Sequence, residues 1–181
     1  AIARDANYAD AWRLKASALE YLAATGAADI GTTLAQAEVA ARRAIAIAPN
    51  LGPAYVPLAA IEADRSNFGK AIQYMDRALK LAPEHGGVLS NATNFMLSFG
   101  DPRKALDLAN RLVALDPLRG INYIVQAGVL FVLRDYPRAI ASNRKALELS
   151  PQLEIAHWKI AECLTMMNRP AEAKTEDAKL P

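Results

Sequence analysis

The side chains best suited to metal or nucleophilic chemistry here are two histidines, His85 and His157, and a single cysteine, Cys163. A metal centre needs three or four such donors converging on one point, and a nucleophile needs a base beside it. His85 follows Pro83-Glu84 in a turn-like stretch, His157 stands alone on an apolar-periodic segment, and Cys163 sits among Ala161, Leu164 and Met166. No HExxH, Gly-rich phosphate loop or Cys-His-acid grouping accompanies them, and one cysteine cannot form an internal disulfide. The chain therefore reads as non-catalytic, with no cofactor and no metal. His85 and His157 are expected to be solvated or packed, and Cys163 to be a small buried hydrophobe.

The other chemistry that spacing can carry is binding. At intervals of three, four and three residues, side chains fall on one face of a helix. One such set is Asp10, Arg13, Ser17 and Glu20, followed by Pro53, Val56, Ala60 and Ala63, then Gly87, Ser90, Asn94 and Leu97. Two apolar sets come later: Ile121, Ile124, Gly128 and Phe131, then Ile155, Trp158, Glu162 and Thr165, with Met166 adjacent. The face runs from charged to apolar. Arg13, Ser17, Asn94, Ile121, Ile124, Gly128, Phe131, Ile155, Trp158, Glu162 and Met166 stand on or beside this face. Gly128, between Ile124 and Phe131, would leave room for an inserted side chain.

These sets are positioned by a repeat. Pro49, Pro83, Pro117 and Pro151 follow one another at 34 residues, and Ala37, Ala71, Ala105, Ala139 and Ala173 keep the same step. A fixed period of this length marks stacked units, each too small to bury its own apolar face. The units run 9–51, 52–85, 86–119, 120–153 and 154–181, the last incomplete, with 1–8 the tail of a preceding unit. In each, two apolar-periodic segments flank a polar turn: Ser66-Asn67, Gly100-Asp101, Arg134-Asp135, Asn168-Arg169. Leu-x-Pro closes each complete later unit, because proline lacks the N–H that would continue the helix.

With this period, and with large residues at position 4 (Trp12, Tyr55, Leu89, Tyr123, His157), small ones at position 8 (Ala16, Ala59, Thr93, Ala127, Ala161) and alanines at positions 20 and 27, the chain resembles the tetratricopeptide-repeat family. Leu112 departs from the small residue at position 27. The resemblance implies an all-α fold of helix-turn-helix repeats in a right-handed solenoid, with Ala59, Ala71, Ala78, Ala127, Ala139 and Ala146 buried. It also implies that positions 2, 5, 9 and 12 line a concave groove for a protein or peptide, which makes Arg13, Ser17, Asn94, Ile121, Ile124, Gly128, Phe131, Ile155, Trp158, Glu162 and Met166 the candidate contact residues. Some members clamp a C-terminal carboxylate with Lys or Arg and Asn. The corresponding slots here are Arg13, Ser17, Pro57, Gly87 and Asn91, which argue against that mode. Exposed Ile, Phe and Trp instead favour an apolar or amphipathic segment.

The first unit is nine residues longer than the others, with the excess in 22–34. Gly26, Gly31 and the threonines read as a loop with Thr32 or Thr33 as N-cap of the next helix. Such an insertion has two readings, a binding loop or a lengthened hairpin. Pro57 requires a helix start near Pro53 or Ala54, or else a kink. The last helix is expected over 170–180. Both ends look cut, as in a segment of a longer polypeptide. The Asn7-Tyr8-Ala9 stretch with Trp12 and the long first unit is similar to tetratricopeptide regions of bacterial signalling proteins that follow an adenylate cyclase or winged-helix domain.

With 21 basic and 19 acidic residues the net charge is +2, so no strong field favours nucleic acid or anionic lipid. The longest basic run is Arg42-Arg43, and no apolar run is long enough for a membrane span. The segment is read as a cytoplasmic interaction module, its partner a protein or peptide, another domain of the same polypeptide, or a second copy. A spacer or dimerisation arm, and the substrate-recruiting part of a cyclase or glycosyltransferase, stand as alternatives.

Overall fold

The computed structural model describes residues 1–179, and among them the regular structure is helical, with ten α-helices and no strand. The chain divides into two compact units, Ala1–Val88 and Leu89–Pro181. The first holds α1 (Ala9–Ala24), α2 (Ile30–Ile47), α3 (Tyr55–Asp64) and α4 (Phe68–Leu81). Helix α5 (Gly86–Ser98) opens at its end. The second holds the rest of α5, then α6 (Pro102–Leu115), α7 (Gly120–Val132), α8 (Tyr136–Leu149), α9 (Ile155–Met166) and α10 (Pro170–Asp177). The expected end of the last helix, Leu180, lies outside the described residues.

The turn inside each hairpin is one motif repeated. Ser66, Gly100, Arg134 and Asn168 lie 34 residues apart, and each is left-handed, with φ of 61°, 76°, 60° and 57°. The residue after each donates back to a carbonyl five positions earlier: Asn67 to Glu62, Asp101 to Met96, Asp135 to Leu130, Arg169 to Leu164, all at 2.8–2.9 Å. This Schellman closure uses up carbonyls that the helix end leaves without partners. Only Gly100 adopts the conformation without a Cβ penalty. The next helix is then capped where the residue allows it. Asp101 accepts from the Lys104 N–H at 3.0 Å, and Asp135 from that of Arg138 at 3.3 Å.

Two local expectations are corrected. The cap of α2 is Asp29, not Thr32 or Thr33, and Ile30–Thr33 is helix rather than loop. Asp29 accepts from both the backbone N–H of Thr32, at 2.9 Å, and its hydroxyl, at 2.6 Å. A carboxylate three residues upstream thereby outcompetes the threonines for the cap. Near Pro57, a 3₁₀ turn over Gly52–Ala54 runs into α3, so the proline falls in the first turn of α3, where its missing N–H costs little.

Packing follows the small residues. Ala59, Ala71, Ala78, Ala127, Ala139 and Ala146 are all buried, as is the larger Leu112. In the second unit Leu130, Ile140, Ile160 and Leu164 form a core with Phe131, Tyr136 and Leu147 against it. In the first, Ala16, Ala40, Ala41 and Leu58 pack with Trp12, Ile45 and Tyr74. Glycine opens two of the hairpins for a steric reason: a Cβ on Gly120 would stand 2.8 Å from Ser150 Oγ and 2.9 Å from the Ala146 carbonyl. At Gly52 it would meet Ala82 Cβ at 2.7 Å.

The large residue at position 4 also ties each of three hairpins to the turn before it. Trp12 Nε1 donates to the Ala6 carbonyl at 2.9 Å, Tyr55 to Pro49 at 2.8 Å and Tyr123 to Pro117 at 3.1 Å. Asn122 adds two more bonds from a buried amide, to the carbonyls of Leu112 and Asp116, closing the end of α6.

Candidate functional site

Helix α7 is apolar along most of its length, and burial divides it. Asn122, Ala127, Val129 and Leu130 face the core, whereas Ile121 is 41% exposed and Ile124, Gly128 and Phe131 are half-buried. Phe131 packs on the core cluster and meets the Tyr136 ring edge-on, with centroids 5.5 Å apart. A Cβ on Gly128 would meet nothing within 4 Å, so open space lies between Ile124 and Phe131.

Helix α9 is divided in the same way. Ala156, Ile160, Ala161, Cys163 and Leu164 are buried, and Ile155, Trp158 and Met166 are exposed by 49%, 47% and 55%. Lys159 places its ammonium 4.4 Å from the centre of the Trp158 ring and bonds Glu162 at 3.4 Å. A cation over the indole face partly shields it and holds the ring in one orientation. Glu162 is thereby engaged with its own helix. Asn94, on α5, is exposed, and its carbonyl accepts from Ser98.

Arg13 and Ser17 belong to the first unit, on α1. Arg13 donates to Asp10 at 2.6 Å, and that hydrogen bond holds the Asp10 carboxyl below its ordinary range. The guanidinium is committed within its own helix. Further along, burial pushes the Glu20 carboxyl up, and the charge of Asp64 adds to the effect. At this end of the predicted face Arg13 and Asp10 balance each other, whereas Glu20 faces the like charge of Asp64.

Both histidines have structural partners, and the cysteine is buried. His85 accepts the Val88 N–H on Nδ1 at 3.3 Å, at the start of α5. His157 bonds Glu176 at 2.8 Å, joining α9 to α10, whereas Trp12, Tyr55 and Tyr123 reach back from the same repeat position to the preceding turn. Burial raises the Glu176 carboxyl, but hydrogen bonds from His157 and Lys179 outweigh it and leave the group below its usual value. Cys163 is buried, and burial pushes its thiol to about 11, so the thiolate is scarce at neutral pH. Among the described residues no three His, Cys, Asp or Glu side chains are grouped to hold a metal ion. Arg42 pairs with Glu38 at 2.7 Å and Arg43 donates to Asn7 at 3.3 Å. Among the described residues no helix is long and apolar enough to cross a membrane.

Trp12, Lys15, Ala35, Gln36, Val39 and Ala40 line a shallow cleft of about 250 Å³ on the α1–α2 hairpin. Its signal is present in Val39, an apolar residue on the polar side of the α2 pattern.

No family model matches the chain. A curated relative, small glutamine-rich tetratricopeptide repeat-containing protein 2 of Mycosarcoma maydis, is 24% identical over 112 residues, 62% of this chain and 32% of the relative's own length. The solved structure of MamA is similar with a TM-score of 0.66 at 16% identity, covering 80% of this chain and 85% of that one. YrrB, described as a TPR protein with an unusual peptide-binding site, gives 0.63 at 15% identity, covering 97% and 86%. Human IFIT1, solved as a dimer with m7Gppp-AAAA, gives 0.81 at 18% identity, covering 99% of this chain and 43% of that one. These likenesses establish the fold.

Proposed function

We propose that this chain, an all-helical tetratricopeptide-repeat protein, is a non-catalytic scaffold that binds an apolar or amphipathic segment of a protein or peptide on α7 and α9. The observation that carries the reading is the exposure of Ile121, Ile155, Trp158 and Met166 on helices whose other faces are already packed. Fully burying a side chain of this size is worth about 1.5–3 kcal/mol, so several left open together favour a covering partner. The empty space at Gly128 gives one inserted side chain a place to go. The peptide-binding site named for YrrB is consistent with this use of the fold.

The partner is a protein or peptide, another domain of the same polypeptide, or a second copy. The segment is a cytoplasmic regulatory part of a larger bacterial signalling protein. A spacer or dimerisation arm, or the recruiting part of a cyclase or glycosyltransferase, is the alternative. Nucleic acid is disfavoured, since Arg13, Arg42 and Lys159 are each paired with a carboxylate and the net charge is only +2. Gly128→Leu tests the site by plugging it. The variant should keep or raise its thermal midpoint, leucine being a better helix former than glycine, and lose partner capture. Capture at the parent level with that space filled contradicts the proposal.

A further inference from the structure

The first hairpin differs from the others at its tip. Helices α1 and α2 run 16 and 18 residues, against 10–14 for α3 to α9. The additional residues carry the tip about one helical turn, roughly 5 Å, beyond that of a hairpin of ordinary length. Its turn closes much as the others do: Gly26 is left-handed, and Ala27 donates to the Leu22 carbonyl at 3.2 Å. The side chains presented there are apolar, with Tyr21, Leu22 and Ile30 exposed by 66%, 40% and 56%. An adjoining unit does not cover the position of Tyr21. Val132 holds the same place between two neighbouring units of the chain and is 55% exposed.

The charge of this hairpin end has one sign. Residues 16–41 contain no lysine or arginine, in a chain with 21 basic residues, and their charges are Glu20, Asp29 and Glu38. Asp29 caps α2, and Glu38 pairs with Arg42 and Arg65, both at 2.7 Å. Glu20 is half-buried and faces the carboxylate of Asp64 at the end of α3. Among the described residues neither of these two carboxylates pairs with a cation. Arg65 turns to Glu38, Arg13 bonds Asp10, and Lys15 lies 5.4 Å from the Trp12 ring centre. Other units hold Ala63, Leu97, Phe131 and Thr165 at the position of Glu20, so packing there does not call for a carboxylate. Like charges held together without a counter-ion favour a cation from outside.

We propose that the tip of the α1–α2 hairpin is a second docking surface, and that its partner is a cationic amphipathic segment. Apolar side chains of the partner cover Tyr21, Leu22 and Ile30, and a lysine or arginine meets Glu20 and Asp64. An anionic lipid surface is the opposite of what these charges recruit. The tip shares no residue with the α7–α9 face, so either proposal can fail alone.

The probe is a fluorescein-labelled synthetic peptide of leucine and lysine at amphipathic helical spacing, titrated into the protein at low salt. A second peptide carries glutamate in place of lysine. With a net charge of +2 the protein gives a cationic peptide no overall attraction, so saturable binding reports a local acidic site. Fluorescence anisotropy should show saturable binding of the lysine peptide, at least tenfold tighter than of the glutamate peptide. Glu20→Gln combined with Asp64→Asn, and separately Tyr21→Ser, should each weaken it about tenfold. Gly128→Leu, which plugs the α7–α9 face, should bind the peptide as the parent does. The two carboxamides remove a like-charge contact and Tyr21 is exposed, so both tip variants should fold, which their melts verify. No saturation up to millimolar lysine peptide, equal binding of the two peptides, or full binding by both tip variants overturns the proposal. So does binding lost in Gly128→Leu and kept in the tip variants, which would assign the peptide to the α7–α9 face.

Discussion

Two glycines of α7 should respond in opposite senses to the same methyl group. At Gly120 the added Cβ lies 2.8 Å from Ser150 Oγ and 2.9 Å from the backbone carbonyl of Ala146. The serine can rotate away, but the carbonyl is held in α8, so the helices must separate. Overpacking of this kind costs about 1–3 kcal/mol. At Gly128 the Cβ meets nothing within 4 Å, and alanine is the better helix former by about 0.8–1 kcal/mol. Gly120→Ala should therefore lower stability by about 1–3 kcal/mol, and Gly128→Ala should raise it by about 0.5–1 kcal/mol. Urea unfolding followed by circular dichroism resolves differences of this size. Adding Ser150→Ala should recover only part of the Gly120→Ala loss, because the carbonyl contact remains. Equal signs for the two glycines, or full rescue by Ser150→Ala, would refute the packing read at the start of α7.

Ala139→Leu forces a larger side chain into a fully buried position and should cost about 1–3 kcal/mol in a thermal or urea melt. Arg134→Gly relieves a left-handed residue, worth about 1–2 kcal/mol, against about 0.4–1 kcal/mol of added unfolded-state entropy. A net gain of about 0.5–1 kcal/mol is expected, and a loss on unfolding would contradict it. Glu176 has its folded pKa held below the unfolded value, so its contribution is present above the ordinary carboxylate pKa and lost as pH falls through the depressed one. Glu176→Gln should then flatten the acid limb of stability against pH below about 4.5.

How far residue types alone predict this molecule differs from element to element. The hairpins are legible because alanine at positions 20 and 27 and proline after each second helix act through local sterics that need no knowledge of neighbours. The burial of Ala71, Ala105 and Ala139 follows directly. The left-handed turn is legible at Gly100 but not at Ser66 or Arg134, where tertiary packing overrides a residue that does not favour the conformation. Asp29 does not stand out as a cap because two threonines lie nearer the apolar pattern, although the carboxylate collects two donors. Partners distant in sequence are beyond reach: nothing near His157 announces Glu176, and nothing near Asn122 announces the Leu112 carbonyl. The candidate contact residues come from a three-four-three spacing together with the groove that the family resemblance implies. The pairing of Arg13 with Asp10 and of Glu162 with Lys159, which engages both charges within their own helices, is a three-residue step that the spacing makes accessible.

Binding at the α7–α9 face is tested by Trp158→Ala, with two readings on one variant. Trp158 is 47% exposed and held by Lys159, so truncation should cost about 1–2 kcal/mol of stability, including about 0.5–1 for the cation–π contact. As an anchor in an interface the same truncation should weaken partner binding by about 2 kcal/mol or more. Trp158→Phe should restore most of it. Partner capture that survives Trp158→Ala, or a stability loss of about 3–5 kcal/mol as for a core tryptophan, would contradict the account.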